Sequence, residues 1–137
     1  MAILLDTSAI LAAADTADLN HQAAAAWFGR VAEPLFIGAL TLAEVDHVLE
    51  RELGPAATAA VVEAIVDGAI RLVTPSDADL ARALELMAEA AEHRPRLPEA
   101  VLVAVAERLD IRRIATFDRR PIAIFRPRHV RAFDLEP

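Results

Sequence analysis

The sequence predicts an α/β protein in which a mostly parallel sheet is covered by helices on both faces, a three-layer α/β/α sandwich. Two observations carry this. Short apolar runs of strand length alternate along the whole chain with longer helix-patterned segments, a sequence of elements that closes through parallel crossovers. Two of those runs, ILLD at residues 3–6 and RIATFD at 113–118, stop abruptly at an aspartate. In open parallel sheets the carboxyl ends of the strands form the ligand-binding edge.

Taken in order, Ile3 to Leu5 reads as a buried strand ending at Asp6. Thr7 or Ser8 can cap the helical turn that continues through Ile10, Leu11 and Ala14. Asn20 to Val31 is an alanine-rich helix carrying Trp27 and Phe28, broken by Pro34, and Leu35 to Leu40 is the second strand. Thr41 starts a helix that Gly54 stops, and Pro55 opens another that ends near Gly68. Ile70 to Val73 is the third strand. Ser76 with Asp79 forms a capping box for a helix reaching about Glu92. His93 to Pro98, with two prolines, is a loop. Glu99 to Leu109 contains the wholly apolar stretch Ala100 to Ala106, which periodicity alone assigns to neither helix nor strand; its length, alanines and Pro98 favour a buried helix. Arg113 to Phe117 is the fourth strand and Val130 to Leu135 the fifth. No repeat or internal boundary interrupts residues 1–137, which read as one domain.

Composition excludes several chemistries. No apolar stretch is long enough to span a bilayer, which needs roughly 20 residues. Asp6 comes too early for a signal peptide, so the expected compartment is the cytoplasm. The chain has no cysteine and no lysine; all 14 basic residues are arginine. Disulfides, thiolate nucleophiles, Cys-based zinc sites, Schiff bases and P-loop lysines are therefore impossible. The net charge of −7 argues against generic nucleic-acid binding. Yet seven of the 14 arginines fall between Arg112 and Arg131, where Asp118 is the only acid.

The predicted topology gathers four remote carboxylates at one sheet edge. Asp6 and Asp118 end strands, while Glu44 and Glu99 lie in the first turns of helices. Each has a plainer reading: turn capping for the aspartates, a Thr41–Glu44 capping box, helix-dipole complementarity for Glu99. Together, however, four crowded carboxylates repel one another unless a cation relieves them. An oxygen-only donor set suits Mg²⁺ or Mn²⁺. Such an ion beside an arginine-rich segment points to phosphodiester hydrolysis, with Arg112, Arg113, Arg119 and Arg120 as candidate phosphate contacts. The hydroxyls of Thr116 and Ser8 lie near the same edge and can orient ligands or water; strand propensity and helix capping explain them equally well. The four histidines show no metal-ligand spacing. A phosphatase using Asp6 as nucleophile is disfavoured, because Ser8 stands where a second aspartate is needed and no lysine exists.

The segments ILLDTSAIL (3–11), LAEV (42–45), EAVLVAVAERL (99–109), IATFDRRPI (114–122) and RAFDL (131–135) resemble PIN-domain ribonucleases, specifically the VapC-type toxins of bacterial toxin–antitoxin pairs. The resemblance implies an α/β/α sandwich, RNA cleavage with Mg²⁺ or Mn²⁺, a homodimer, and inhibition by a cognate antitoxin, with the alanine-rich helices of residues 20–65 forming part of its receiving groove. By match, Asp6, Glu44 and Asp118 fall on the family's first, second and fourth acids, and Thr116 on its hydroxyl position. The third acid, usually aspartate in D-A-x-x-V-A, is here Glu99. That longer side chain leaves open an alternative: a catalytically weakened PIN domain that mainly binds RNA or its antitoxin.

Overall fold

The computed structural model describes all 137 residues. Five strands, β1 (Ile3–Leu5), β2 (Leu35–Gly38), β3 (Ile70–Val73), β4 (Arg113–Ala115) and β5 (Asp134–Glu136), form one sheet in the order β3-β2-β1-β4-β5, every neighbouring pair parallel. Seven helices connect them: α1 (Thr7–Ala14), α2 (His21–Arg30), α3 (Ala39–Leu53), α4 (Pro55–Val66), α5 (Asp77–Glu89), α6 (Leu97–Arg108) and α7 (Arg120–Ala123). The expected α/β sandwich is borne out.

Alternation along β1 explains the layers. Ile3 and Leu5 join a core cluster with Ala9, Ile10, Trp27, Val45 and Leu49, from α1, α2 and α3. Leu4 points the other way, into a cluster with Leu102 and Ala106 of α6. Successive strand residues face opposite sides, so a central parallel strand must be apolar throughout. Leu4, Leu5 and Ile114 are fully buried, each stabilising the fold by roughly 1.5–3 kcal/mol. Helix α6 is apolar all round because it is covered all round: every residue from Glu99 to Ala106 is buried, between the sheet and α5.

Several boundaries differ from those expected. Helix α3 starts at Ala39, with Gly38 as N-cap and no side-chain cap. The Thr41–Glu44 capping box therefore does not form, and Glu44 lies in the second turn rather than the first. Strand β4 ends at Ala115, two residues early, because the Thr116 hydroxyl accepts the Asp118 N–H (3.0 Å) and turns the chain away. The fifth strand is Asp134–Glu136 rather than Val130–Leu135; its register is set by Arg113 opposite Asp134. The Ser76–Asp79 capping box is present with both of its hydrogen bonds, and α5 ends at Glu89 before a 3-10 turn at Ala91–His93. Gly54, at φ 83° and ψ 176°, adopts an extended positive-φ conformation open essentially to glycine, and so joins α3 to α4.

Candidate active site

From β1 the chain runs to β2 on one side and its other neighbour is β4, so the crevice between the carboxyl ends of β1 and β4 is the topological switch point of the sheet. Leu5 and Ala115 are paired there, and Asp6 and Thr116 follow them directly. Asp6 occupies the N-cap position of α1 without a side-chain capping bond. Its Oδ2 instead accepts the Thr116 hydroxyl at 2.7 Å and the Ser8 hydroxyl at 3.1 Å. The two hydroxyls are held in turn by backbone N–H groups, Phe117 donating to Ser8 (2.9 Å) and Asp118 to Thr116 (3.0 Å). Each hydroxyl has one proton to give. Asp6 is the nearest acceptor of the Thr116 proton, ahead of the Asp118 carbonyl at 3.0 Å.

Two more carboxylates face this corner. Glu44 accepts the Thr7 hydroxyl on Oε1 at 2.6 Å and the Arg96 guanidinium on Oε2 at 3.2 Å. Glu99, in the first turn of α6, is buried, and its Oε2 has no hydrogen-bond partner. Burial raises the Asp6 carboxyl above its ordinary value, opposed by the hydrogen bonds from Thr116, Thr7 and Ser8 and reinforced by the charge of Glu44. Burial likewise raises Glu99, with Glu44 and Asp6 adding repulsion and Arg96 relieving it.

The structure thus brings Asp6, Glu44, Glu99, Ser8 and Thr116 to one corner. Asp118 is exposed and meets the corner through its backbone N–H and carbonyl, both at the Thr116 hydroxyl, and through the groove wall that it shares with Glu99. No three carboxylates are spaced to ligate a single ion together. The donor set nonetheless fits a hard divalent cation: it is oxygen only, it includes a buried carboxylate oxygen with nothing bound to it, and its charges are mutually unfavourable without a counter-ion.

The arginines separate into two groups. Arg113 begins β4, at the opposite edge of the sheet from Asp6. It forks onto Glu136 at 2.7 and 2.9 Å and reaches Glu33 at 2.6 Å. Arg112, beside it, lies against Asp110. Both are therefore remote from the corner, a correction to their expected place beside it. Arg120 does line the open groove of about 1190 Å³ that Glu99 and Asp118 share, together with Arg94, Arg96, Arg126 and Arg131. Arg119 is exposed next to Asp118. The groove role of Arg94 and Arg96 was not legible from charge density, since they stand apart from the arginine-rich segment; the available clue is their place shortly before Glu99, in the segment that leads into α6.

This fold, with an acidic corner braced by hydroxyls at the switch point, is that of a PIN domain. The chain matches the PIN domain family over residues 3–126 and belongs to it, so the resemblance read from the motifs holds. Among curated proteins it is similar to Ribonuclease VapC26 of Mycobacterium tuberculosis (strain ATCC 25618 / H37Rv), with 30% identity over 125 residues, covering 91% of this chain and 93% of that protein. Among solved structures it resembles Mycobacterium tuberculosis VapC20, described as a sarcin-ricin loop cleaving toxin, with a TM-score of 0.82 and 22% identity over 94% of this chain and 98% of that one. FitAcB from Neisseria gonorrhoeae follows the same fold, with a TM-score of 0.70 and 17% identity over 98% and 96% of the two chains.

Proposed function

We propose that this chain is the ribonuclease toxin of a toxin–antitoxin pair and hydrolyses RNA phosphodiester bonds with Mg²⁺ or Mn²⁺ held by Asp6, Glu44, Glu99 and Asp118. The observation that carries the reading is the buried, unpartnered Glu99 oxygen beside two further carboxylates at the switch point. Kinship to Ribonuclease VapC26 supports the ribonuclease part. When bound, such an ion lowers the pKa of a coordinated water and neutralises charge developing on the phosphate. The chain's own residues do the rest. Thr116 and Ser8 fix the Asp6 carboxylate through Oδ2. Thr7 fixes Glu44. Arg94, Arg120, Arg126 and Arg131 in the groove receive backbone phosphates through forked donors, and exposed Arg119, next to Asp118 in sequence, adds to them. That local field is needed because the whole molecule, at −7, repels RNA.

Purified protein should cleave RNA in Mg²⁺ or Mn²⁺ and stop in EDTA. Asp6→Ala or Asp118→Ala should lower cleavage by more than the roughly 100-fold typical of losing an outer-shell partner. Cleavage that survives chelation refutes the proposal.

The partner we assign is a cognate antitoxin, bound to a homodimeric toxin. Several similar folds were solved as toxin–antitoxin complexes, among them VapBC2 from Rickettsia felis, with a TM-score of 0.67, 12% identity and 99% of this chain covered. The face it would cover is that of α4, an apolar helix none of whose residues is buried and which exposes Val62 and Val66. Val62→Glu with Val66→Glu should abolish antitoxin binding while leaving RNA cleavage intact.

A further inference from the structure

Arg96 is the one cation in contact with the acidic corner. It is the N-cap residue of α6, three positions before Glu99. Its guanidinium lies 3.2 Å from Glu44 Oε2, and its side chain is 69% exposed while that of Glu44 is 19% exposed. Its charge also acts favourably on Glu99. Arg96 belongs at the same time to the wall of the groove, with Glu99, Asp118 and Arg120. Glu44 Oε1 accepts the Thr7 hydroxyl, and Oε2 lies in the ion pair with Arg96, so a cation approaching Oε2 meets the guanidinium charge. The Thr7 bond is a hydroxyl contact that a metal-bound carboxylate can keep. The Arg96 contact is an ion pair to the other oxygen, and its positive charge would repel a divalent cation approaching this carboxylate.

We propose that Arg96 is a built-in counter-ion that competes with the divalent cation for Glu44, and that on leaving Glu44 it turns to the groove to bind a phosphate of the RNA. The inference rests on the metal-dependent reading above. It makes Arg96 a positioning residue with two alternative partners of like charge, a carboxylate before the metal enters and a phosphate afterwards. The exposure of its long side chain permits the exchange: the backbone of the α6 N-terminus can stay fixed while the guanidinium moves. It also couples metal loading to substrate binding, because an RNA phosphate that captures Arg96 frees Glu44 for the metal.

The test is Mn²⁺ binding in the absence of RNA, read from the disappearance of the free-ion paramagnetic resonance signal. Wild type is compared with Arg96→Gln and Arg96→Lys. Because Arg96 is largely exposed, circular dichroism and melting temperature should be unchanged. Arg96→Gln should bind Mn²⁺ roughly threefold to fivefold more tightly, the range set by a partly exposed ion pair, and Arg96→Lys should fall between it and wild type. At saturating Mn²⁺ the same Arg96→Gln protein should cleave RNA more slowly, with a raised KM, so that affinity for metal and affinity for RNA move in opposite directions. Unchanged or weaker Mn²⁺ binding in Arg96→Gln, with normal binding in wild type, overturns the inference and leaves the metal-dependent nuclease standing. Failure of both proteins to bind Mn²⁺ overturns both.

Discussion

The Thr116 hydroxyl carries three tasks through one oxygen: it donates to Asp6, accepts from the Asp118 N–H, and lies 3.0 Å from Ser8. Thr116→Val keeps the shape and removes all three. The Asp6 carboxylate then loses its shortest hydrogen bond, at a stability cost of about 1–2 kcal/mol, and the turn that ends β4 loosens. RNA cleavage should fall about tenfold to 100-fold, the usual cost of losing a group that orients a ligand, and Thr116→Ser should restore most of it. An unimpaired Thr116→Val enzyme would show that the hydroxyl only terminates the strand. Glu99 poses the complementary question. Its extra methylene reaches into a buried position and leaves Oε2 without a partner. Glu99→Asp withdraws the carboxylate by roughly a bond length, and metal sites are sensitive to displacements of that size. If the glutamate already serves, Glu99→Asp should cleave RNA no faster than wild type. A large gain on Glu99→Asp would instead identify the natural chain as a weakened nuclease that chiefly binds.

At the level of elements, α5 and α6 are locked by ion pairs that composition does not reveal. Asp79 is 3% exposed; it completes the capping box of α5 and accepts Arg108 of α6 on both oxygens at 3.0 Å. Arg82 pairs with Glu107 at 2.8 Å on the same helix pair. Arg108→Ala leaves a buried carboxylate with only its cap, and should cost about 2 kcal/mol, discounted from the fully buried case because Arg108 is 40% exposed; chemical denaturation would measure it. Ser76→Ala should cost about 1 kcal/mol, and the double variant less than the sum, since both act on Asp79. These pairings mark the limit of reading by sequence. Elements defined by a local code were legible: β1 by its unbroken apolar run, α5 by its cap, and α6 by apolar length. That Asp6, Glu44 and Glu99 would lie toward one edge was legible too, because strand ends and helix starts share that edge in a parallel sheet; their spacing, with no three set to ligate one ion, was not. What was not legible depended on long-range partners. The start of α3 moved because Gly38 caps it before Thr41 can. Arg112 and Arg113 read as substrate contacts by proximity to Asp118, yet a three-residue strand carries Arg113 to the far edge, where Glu33 and Glu136 claim it. No pattern in the arginine run distinguishes a groove arginine from a structural one; the acids that decide it are remote in sequence.

For the molecule as a whole, two sets of carboxylates give pH dependences of opposite sign. Glu136 and Glu33 are held below their ordinary pKa of 4.5 by hydrogen bonds from Arg113, Glu33 down to about 2. Their stabilisation is present above pH 4.5 and is lost as the pH falls toward 2; Arg113→Ala should flatten the acid limb of the stability curve across that window. Asp6 and Glu99 are shifted upward, chiefly by burial, from 3.8 and 4.5. Folding then favours their protonated forms. They cost nothing at a pH where both states are protonated, begin to cost as the pH rises through the unfolded values, and cost most once they ionise in the folded protein. At pH 7 without divalent ions the Asp6→Asn, Glu99→Gln double variant should therefore be more stable than wild type and melt at a higher temperature. Added Mg²⁺ should close the gap by raising the Tm of wild type alone, since a ligand that binds only the folded form stabilises it in proportion to its occupancy. The Mg²⁺ effect should fade as the pH is lowered and the two carboxyls take up protons in its place. A double variant that melts below wild type at pH 7, or a Mg²⁺ effect equal in both proteins, would mean that these carboxylates are not held in the folded protein against their own charge.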